Sequence, residues 1–71
     1  MEGTTQPARY RVVVRGFVDE YLADAFGPLE VESRAGQSSL TGTFADLAQL
    51  YGLLCRLRDL GIQLISVNPV D

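Results

Sequence analysis

The chain has 71 residues, 46% hydrophobic and 21% charged, with one cysteine, no histidine and six arginines against nine acids. Those figures exclude an internal disulfide and a His/Cys metal cluster, and the net charge of −3 argues against general nucleic-acid binding, which depends on accumulated positive charge. A domain this small buries only ~60% of the surface its unfolded chain exposes, so tight packing or self-association is expected to supply what cross-links do not.

Residues 1–8 are polar and read as a disordered tail, without the basic and apolar blocks of a signal peptide. No apolar run approaches the ~20 residues of a membrane span, so the expected compartment is the cytoplasm. The rest, residues 9–71, reads as one domain. Residues 10–15 are rich in valine and form a strand that Gly16 closes. Asp19 is placed to cap a short helix with Glu20 near its positive end. Tyr21, Leu22, Ala25 and Phe26 share one face of that helix, and Gly27 and Pro28 stop it. Residues 29–32 alternate as a half-buried strand, 34–37 turn, and 39–44 alternate again as the hairpin partner. Asp46 caps the longest helix, with Gln49 three residues on as in a capping box. Leu47, Leu50, Leu54 and Leu57 make its apolar stripe, widened by Leu53 and Leu60, before Gly61 ends it. Residues 63–67 are the last strand, ahead of Pro69.

The order β-α-β-β-α-β is the split βαβ pattern of α+β, ferredoxin-like domains, which predicts a four-stranded antiparallel sheet with two helices on one face. Its rival is a three-stranded sheet in which residues 29–32 stay unpaired. In the four-stranded frame Tyr10, Val12 and Val14 point to the helices with Leu40 and Phe44. Arg11, Val13 and Arg15 then line the open face beside Thr41, Thr43, Glu30 and Glu32. Which side of the last strand is buried stays open.

The run from Leu40 through Thr41, Gly42, Asp46, Ala48, Leu50, Gly52 and Leu53 to Leu54, followed by Leu60-Gly61-Ile62-Gln63-Leu64 and Val67, resembles a group of short actinobacterial stand-alone proteins. Their pattern is T-x-L-x-G-x-x-x-D-x-A-x-L-x-G-L-L and then L-G-L-E-L-x-x-V. The upstream Ala25-Phe26-Gly27-Pro28-Leu29 is similar to that group's A-F-x-G-L segment. The chain departs from it at Ala45, where the group often has proline, and at Ile62-Gln63, where it tends to have Leu-Glu. The group's function is uncharacterised, so the resemblance implies a stand-alone domain and transfers no catalytic residue.

Without histidine, nucleophilic catalysis of the Ser/His/Asp or Cys/His kind is excluded. Cys55 is read as an ordinary small residue on a helix. Glu30 and Glu32, two apart on a strand, are read as the solvated side of an edge strand rather than as a catalytic pair. Arg15-Gly16-Phe17 resembles the acylphosphatase strand-to-helix junction, but Val18-Asp19-Glu20 brings no arginine to hold a phosphate. An RNA-stacking platform needs aromatics on the open face, where the third strand offers Ser39, Thr41 and Thr43. No enzyme, cofactor, metal, nucleic-acid or membrane role is expected. Any cofactor-free chemistry in a dimer pocket would fall to Arg11, Arg15, Glu30, Glu32 and the tyrosines, which show no recognisable spacing.

What remains is binding. The first and last strands read as apolar on both sides, at residues 12–14 and at Leu64, Ile65 and Val67, and strands read so when both faces are covered. The expected function is a non-enzymatic protein-interaction module that homodimerises through its sheet and binds a further protein. Its sheet-face contacts are Arg11, Val13, Arg15, Thr41 and Thr43, continued by Ile65 and Val67 on the last strand. A second candidate surface is the outer strip of the long helix, Ala48, Gly52 and Cys55, with Tyr51 as an aromatic anchor at its margin. The alternative is a regulatory domain resembling ACT domains, which bind amino acids or metabolites at subunit interfaces. Phe17, Asp19 and Glu20 would then hold the ligand, against the plainer reading that Asp19 only caps its helix.

Overall fold

Strand-forming residues between Ala8 and Arg15 build the centre of the domain, and everything else packs on or beside them. The computed structural model describes residues 8–25 and 28–70, apart from the side chains of Glu20 and Leu22. Residues 1–7 of the expected tail, Phe26 of the expected helix face and Gly27 of the expected helix stop lie outside the described residues, and Ala8, expected to end the tail, begins the first strand instead. The elements are β1 (Ala8–Arg15), α1 (Glu20–Asp24), β2 (Glu30–Arg34), β3 (Gln37–Phe44), α2 (Leu47–Asp59) and β4 (Leu64–Pro69). The strands form one antiparallel sheet in the order β2-β3-β1-β4. Residues 30–34 are paired with β3, which disposes of the three-stranded rival.

The two-helix, ferredoxin-like architecture is not what the chain adopts. One helix of substance, the 13-residue α2, covers the sheet, and α1 is a five-residue turn of helix. Val18 is buried and its N–H donates to the Ser38 hydroxyl at 3.1 Å, which ties the residue just ahead of the Asp19 cap to β3. The helix starts after that cap, and Pro28 in the sequence limits how far it can run, since proline disfavours a helical residue before it. The expected buried face of this helix is also corrected: Ala23 is buried, whereas Tyr21 is 86% exposed and Ala25 is exposed.

The core fills one side of the sheet. Val12 and Val14 of β1 and Leu40 and Phe44 of β3 meet Leu50, Leu53 and Leu57 of α2. Tyr10 packs against Phe44 edge-on, ring centroids 6.3 Å apart. Position 42 favours glycine, because a Cβ there would meet the end of the Leu29 side chain, which would have to shift, and would lie 3.2 Å from the Pro28 carbonyl. The α2 stripe runs through Leu53 rather than Leu54, and Leu47 and Leu60, expected within it, are more than half exposed. At 100° per residue Leu47 stands well to the side of the Leu50–Leu53–Leu57 line, and Leu60 is the C-cap, past the last helical residue.

Local signals set the boundaries. Asp46 accepts from the Gln49 N–H at 2.9 Å, and the Gln49 side chain accepts from the Ala45 N–H, one residue before the cap. At the other end Gly61 adopts φ 77°, with Gly61 N–H donating to Arg58 and Ile62 N–H to Leu57, both at 2.9 Å. This is a Schellman closure, and it packs Ile62 back toward Leu57. The two-residue turn between β2 and β3 has Ala35 at φ 54° and Gly36 at φ 78°, the signs a type I′ hairpin requires.

Candidate functional site

Three surfaces come out of this arrangement. The first is the open face of the sheet. Register places Arg9, Arg11, Val13 and Arg15 of β1 beside Thr43, Thr41, Ser39 and Gln37 of β3. Glu30, Glu32 and Arg34 of β2 flank Thr41, Ser39 and Gln37 in turn. Arg9 reaches across β3 to Glu30 at 3.6 Å, beside Thr41, which is only 8% exposed although it points away from the core. A depression of about 530 Å³ lies between Arg11, Val13, Glu32, Arg34, Gln37 and Ser39.

Val13 is the apolar residue that β1 gives this face, as expected, and it is at β4 that the premise of two-sided apolarity is corrected. In β4 the reason is a register shift: Val13 faces Ser66 but Val14 faces Leu64, leaving Ile65 as the extra residue of a bulge. Val67, opposite Val12, and Leu64, opposite Val14, therefore both turn to the helix side. Val67 is a core neighbour and not part of the open face. Ile65 sits at the bulge, 43% exposed.

The second surface follows from the short α1 and the single long helix. The helix side of β4 is left partly uncovered, and an apolar groove of about 360 Å³ opens there. It is lined by Leu54, Cys55, Leu57, Arg58, Ile62 and Leu64, and Leu64 is 46% exposed. Leu60 and Ile65 are further exposed apolar side chains of the α2–β4 segment. The backbone edge of β4 is a poor template for another strand, because the bulge and Pro69, which has no N–H, both interrupt it.

The third is the outside of α2 and the β1–α1 junction. Ala48, Tyr51, Gly52 and Cys55 are all exposed, and a Cβ built on Gly52 meets nothing within 4 Å. At the junction, Asp19 Oδ1 accepts from the Tyr21 N–H at 2.8 Å, so the carboxylate is engaged in capping. Phe17 is 81% exposed and borders a depression of about 280 Å³ formed with Ser33, Arg34, Gly36 and Gln37, not with Asp19. The Glu20 side chain lies outside the described residues.

Residues 9–68 match a family described as a domain of unknown function. The chain belongs to that family, DUF8691. Neither the curated proteins nor the solved structures give a match. In this DUF8691 domain no group of three or more His, Cys, Asp or Glu stands where it could hold a metal, among the described residues. No helix among them is long and apolar enough to cross a membrane.

Sequence reasoning missed Leu54, Arg58, Ile62 and Leu64 as members of one surface. Part of the signal was present: Gly61 after a leucine-rich helix predicts a Schellman closure, which brings Ile62 against Leu57. The bulge that swings Leu64 to the same side had no marker in the sequence.

Proposed function

We propose that this domain is a small non-enzymatic protein-interaction module of the cytoplasm that homodimerises, with the groove between α2 and β4 as its docking surface. The observation that carries the reading is that groove: apolar side chains from the end of α2 and the start of β4 stand uncovered on the helix side of the sheet. A second copy is the occupant that a marginally stable domain of this size needs, since shared apolar burial supplements a small core. The open face favours this surface over itself, being lined mainly by arginine, glutamate, serine and threonine, as a solvated sheet face is. The interrupted β4 edge favours side-chain packing over strand addition. The resemblance to short actinobacterial proteins adds to this reading only that the domain stands alone.

Sedimentation velocity tests it. A dimer is expected at tens of micromolar, and Leu64→Glu, a half-exposed position in the groove, should give a monomer with unchanged far-ultraviolet circular dichroism. A compact wild-type monomer at high micromolar concentration would overturn the reading. The regulatory alternative at Phe17, Asp19 and Glu20 is separable by thermal-shift screening of amino acids and metabolites, because a specific ligand raises the melting temperature by mass action.

A further inference from the structure

Charge is not spread evenly over this acidic chain. Four of its six arginines, Arg9, Arg11, Arg15 and Arg34, stand on the open face of the sheet, together with only two of its nine acids, Glu30 and Glu32. The other seven acids and two arginines lie elsewhere in the sequence, so one face is positive while the chain as a whole is negative. Arg9 is engaged by Glu30. That leaves Arg11, Arg15 and Arg34 around the single carboxylate of Glu32, at the depression whose walls include Arg11 and Arg34 and whose lining includes Val13, Gln37 and Ser39.

We propose that this face docks an acidic peptide segment of another protein, with its carboxylates held by Arg11, Arg15 and Arg34. Arginine is suited to that task because its planar fork accepts a carboxylate in two parallel hydrogen bonds. The spacing fits an extended peptide. Arg11 and Arg15 are four residues apart on β1, ~14 Å, and an extended peptide repeats a side chain on one face every ~7 Å. Carboxylates two steps apart then meet Arg11 and Arg15, and a neutral residue between them passes Val13 and Ser39. Arg34 stands across β3 from Arg15, two strand spacings or ~10 Å away, and closes the far wall. A nucleic acid fits less well. Its evenly charged backbone would cross Glu30 and Glu32, and the paired open-face positions of β1, β2 and β3 carry no aromatic ring on which a base could stack.

Fluorescence anisotropy with a short fluorescein-labelled peptide carrying glutamate at every fourth position, with serine between, tests the proposal. Saturable binding is expected, with no binding of the lysine counterpart. Each lost contact between exposed charges weakens binding by about three- to fivefold, so Arg11→Gln and Arg34→Gln should each show that loss, and the double variant should show a loss of about tenfold or more. Tenfold more salt should weaken binding as well, since these groups are exposed. The monomeric Leu64→Glu variant should bind the peptide as the wild type does, which separates this face from the groove. The proposal is overturned if the folded wild type ignores the peptide or if the double variant binds it equally. It is also overturned if an oligothymidylate of equal charge binds as tightly, which would make the face a general polyanion surface.

Discussion

The Ser38 hydroxyl ties the start of the helical connection to the sheet, and removing it offers a direct test of how α1 is held. Ser38 is fully buried. Its Oγ donates to the Gly16 carbonyl at 2.6 Å, accepts from the Val18 N–H at 3.1 Å and lies 3.1 Å from the Ser33 Oγ. Ser38→Ala leaves the Val18 N–H without a partner beside a side chain that is itself buried. The Gly16 carbonyl, on a half-buried residue, recovers part of its loss from water. An unsatisfied buried group costs about 1–3 kcal/mol, so the two together come to about 3 kcal/mol. A chain of this length has a total stability of roughly 4–10 kcal/mol. A change of that size should lower Tm by about 12–24 °C for a domain in this range. Urea unfolding followed by circular dichroism, at one fixed protein concentration because association is linked to stability, measures it. Ser33→Ala is the control, since Ser33 is exposed and contributes only its contact to Ser38. A Ser38→Ala variant within 0.5 kcal/mol of wild type, roughly the size of an ordinary surface change, would refute the tie.

Other positions give sharper local tests. Gly42→Ala should cost about 1–3 kcal/mol by overpacking, because its Cβ meets Leu29 and the Pro28 carbonyl; an unchanged urea midpoint would show that this contact yields freely. Gly52→Gln should stabilise α2 by about 0.5–1 kcal/mol and leave self-association intact, since Gly52 lies nearly opposite Leu54 on the helix. Loss of the dimer in that variant, seen by sedimentation, would move the interface to the outer strip. Ala35→Asn should raise stability by about 0.5 kcal/mol, because a left-handed conformation costs alanine more than asparagine; a lower urea midpoint would contradict it.

Much of the backbone was legible from short-range rules, and much of the candidate surface was not. Asp46 with Gln49 and Gly61 after Asp59 mark both ends of α2 because capping depends on atoms within one turn. The alternation of residues 39–44 placed Leu40 and Phe44 inward and Thr41 and Thr43 outward, since a strand has a period of two. The same rule failed at β4. It presumes unbroken pairing, and a bulge at Ile65 puts Leu64 and Val67, three residues apart, on one side. The first helix failed differently: it starts after the Asp19 cap as its local signal says, but Tyr21 and Ala25, spaced for a buried face, are exposed and Ala23 is the residue the core takes up.

By itself the sequence determined the order of the elements, both ends of α2, which residues of β1 and β3 face the core, and which chemistries are absent for want of histidine and a second cysteine. Those properties live in neighbouring residues or in composition, so a linear reading reaches them. Only the tertiary structure decided that one helix covers the sheet, that a bulge turns Leu64 into the groove while Val67 packs on the core, and that Arg9 and Arg34 join Arg11 and Arg15 on one face. Each of those depends on contacts between residues far apart in the chain, such as Ser38 with Val18 and Arg9 with Glu30. Local propensity has no term for such contacts, and packing overrides it where the two conflict.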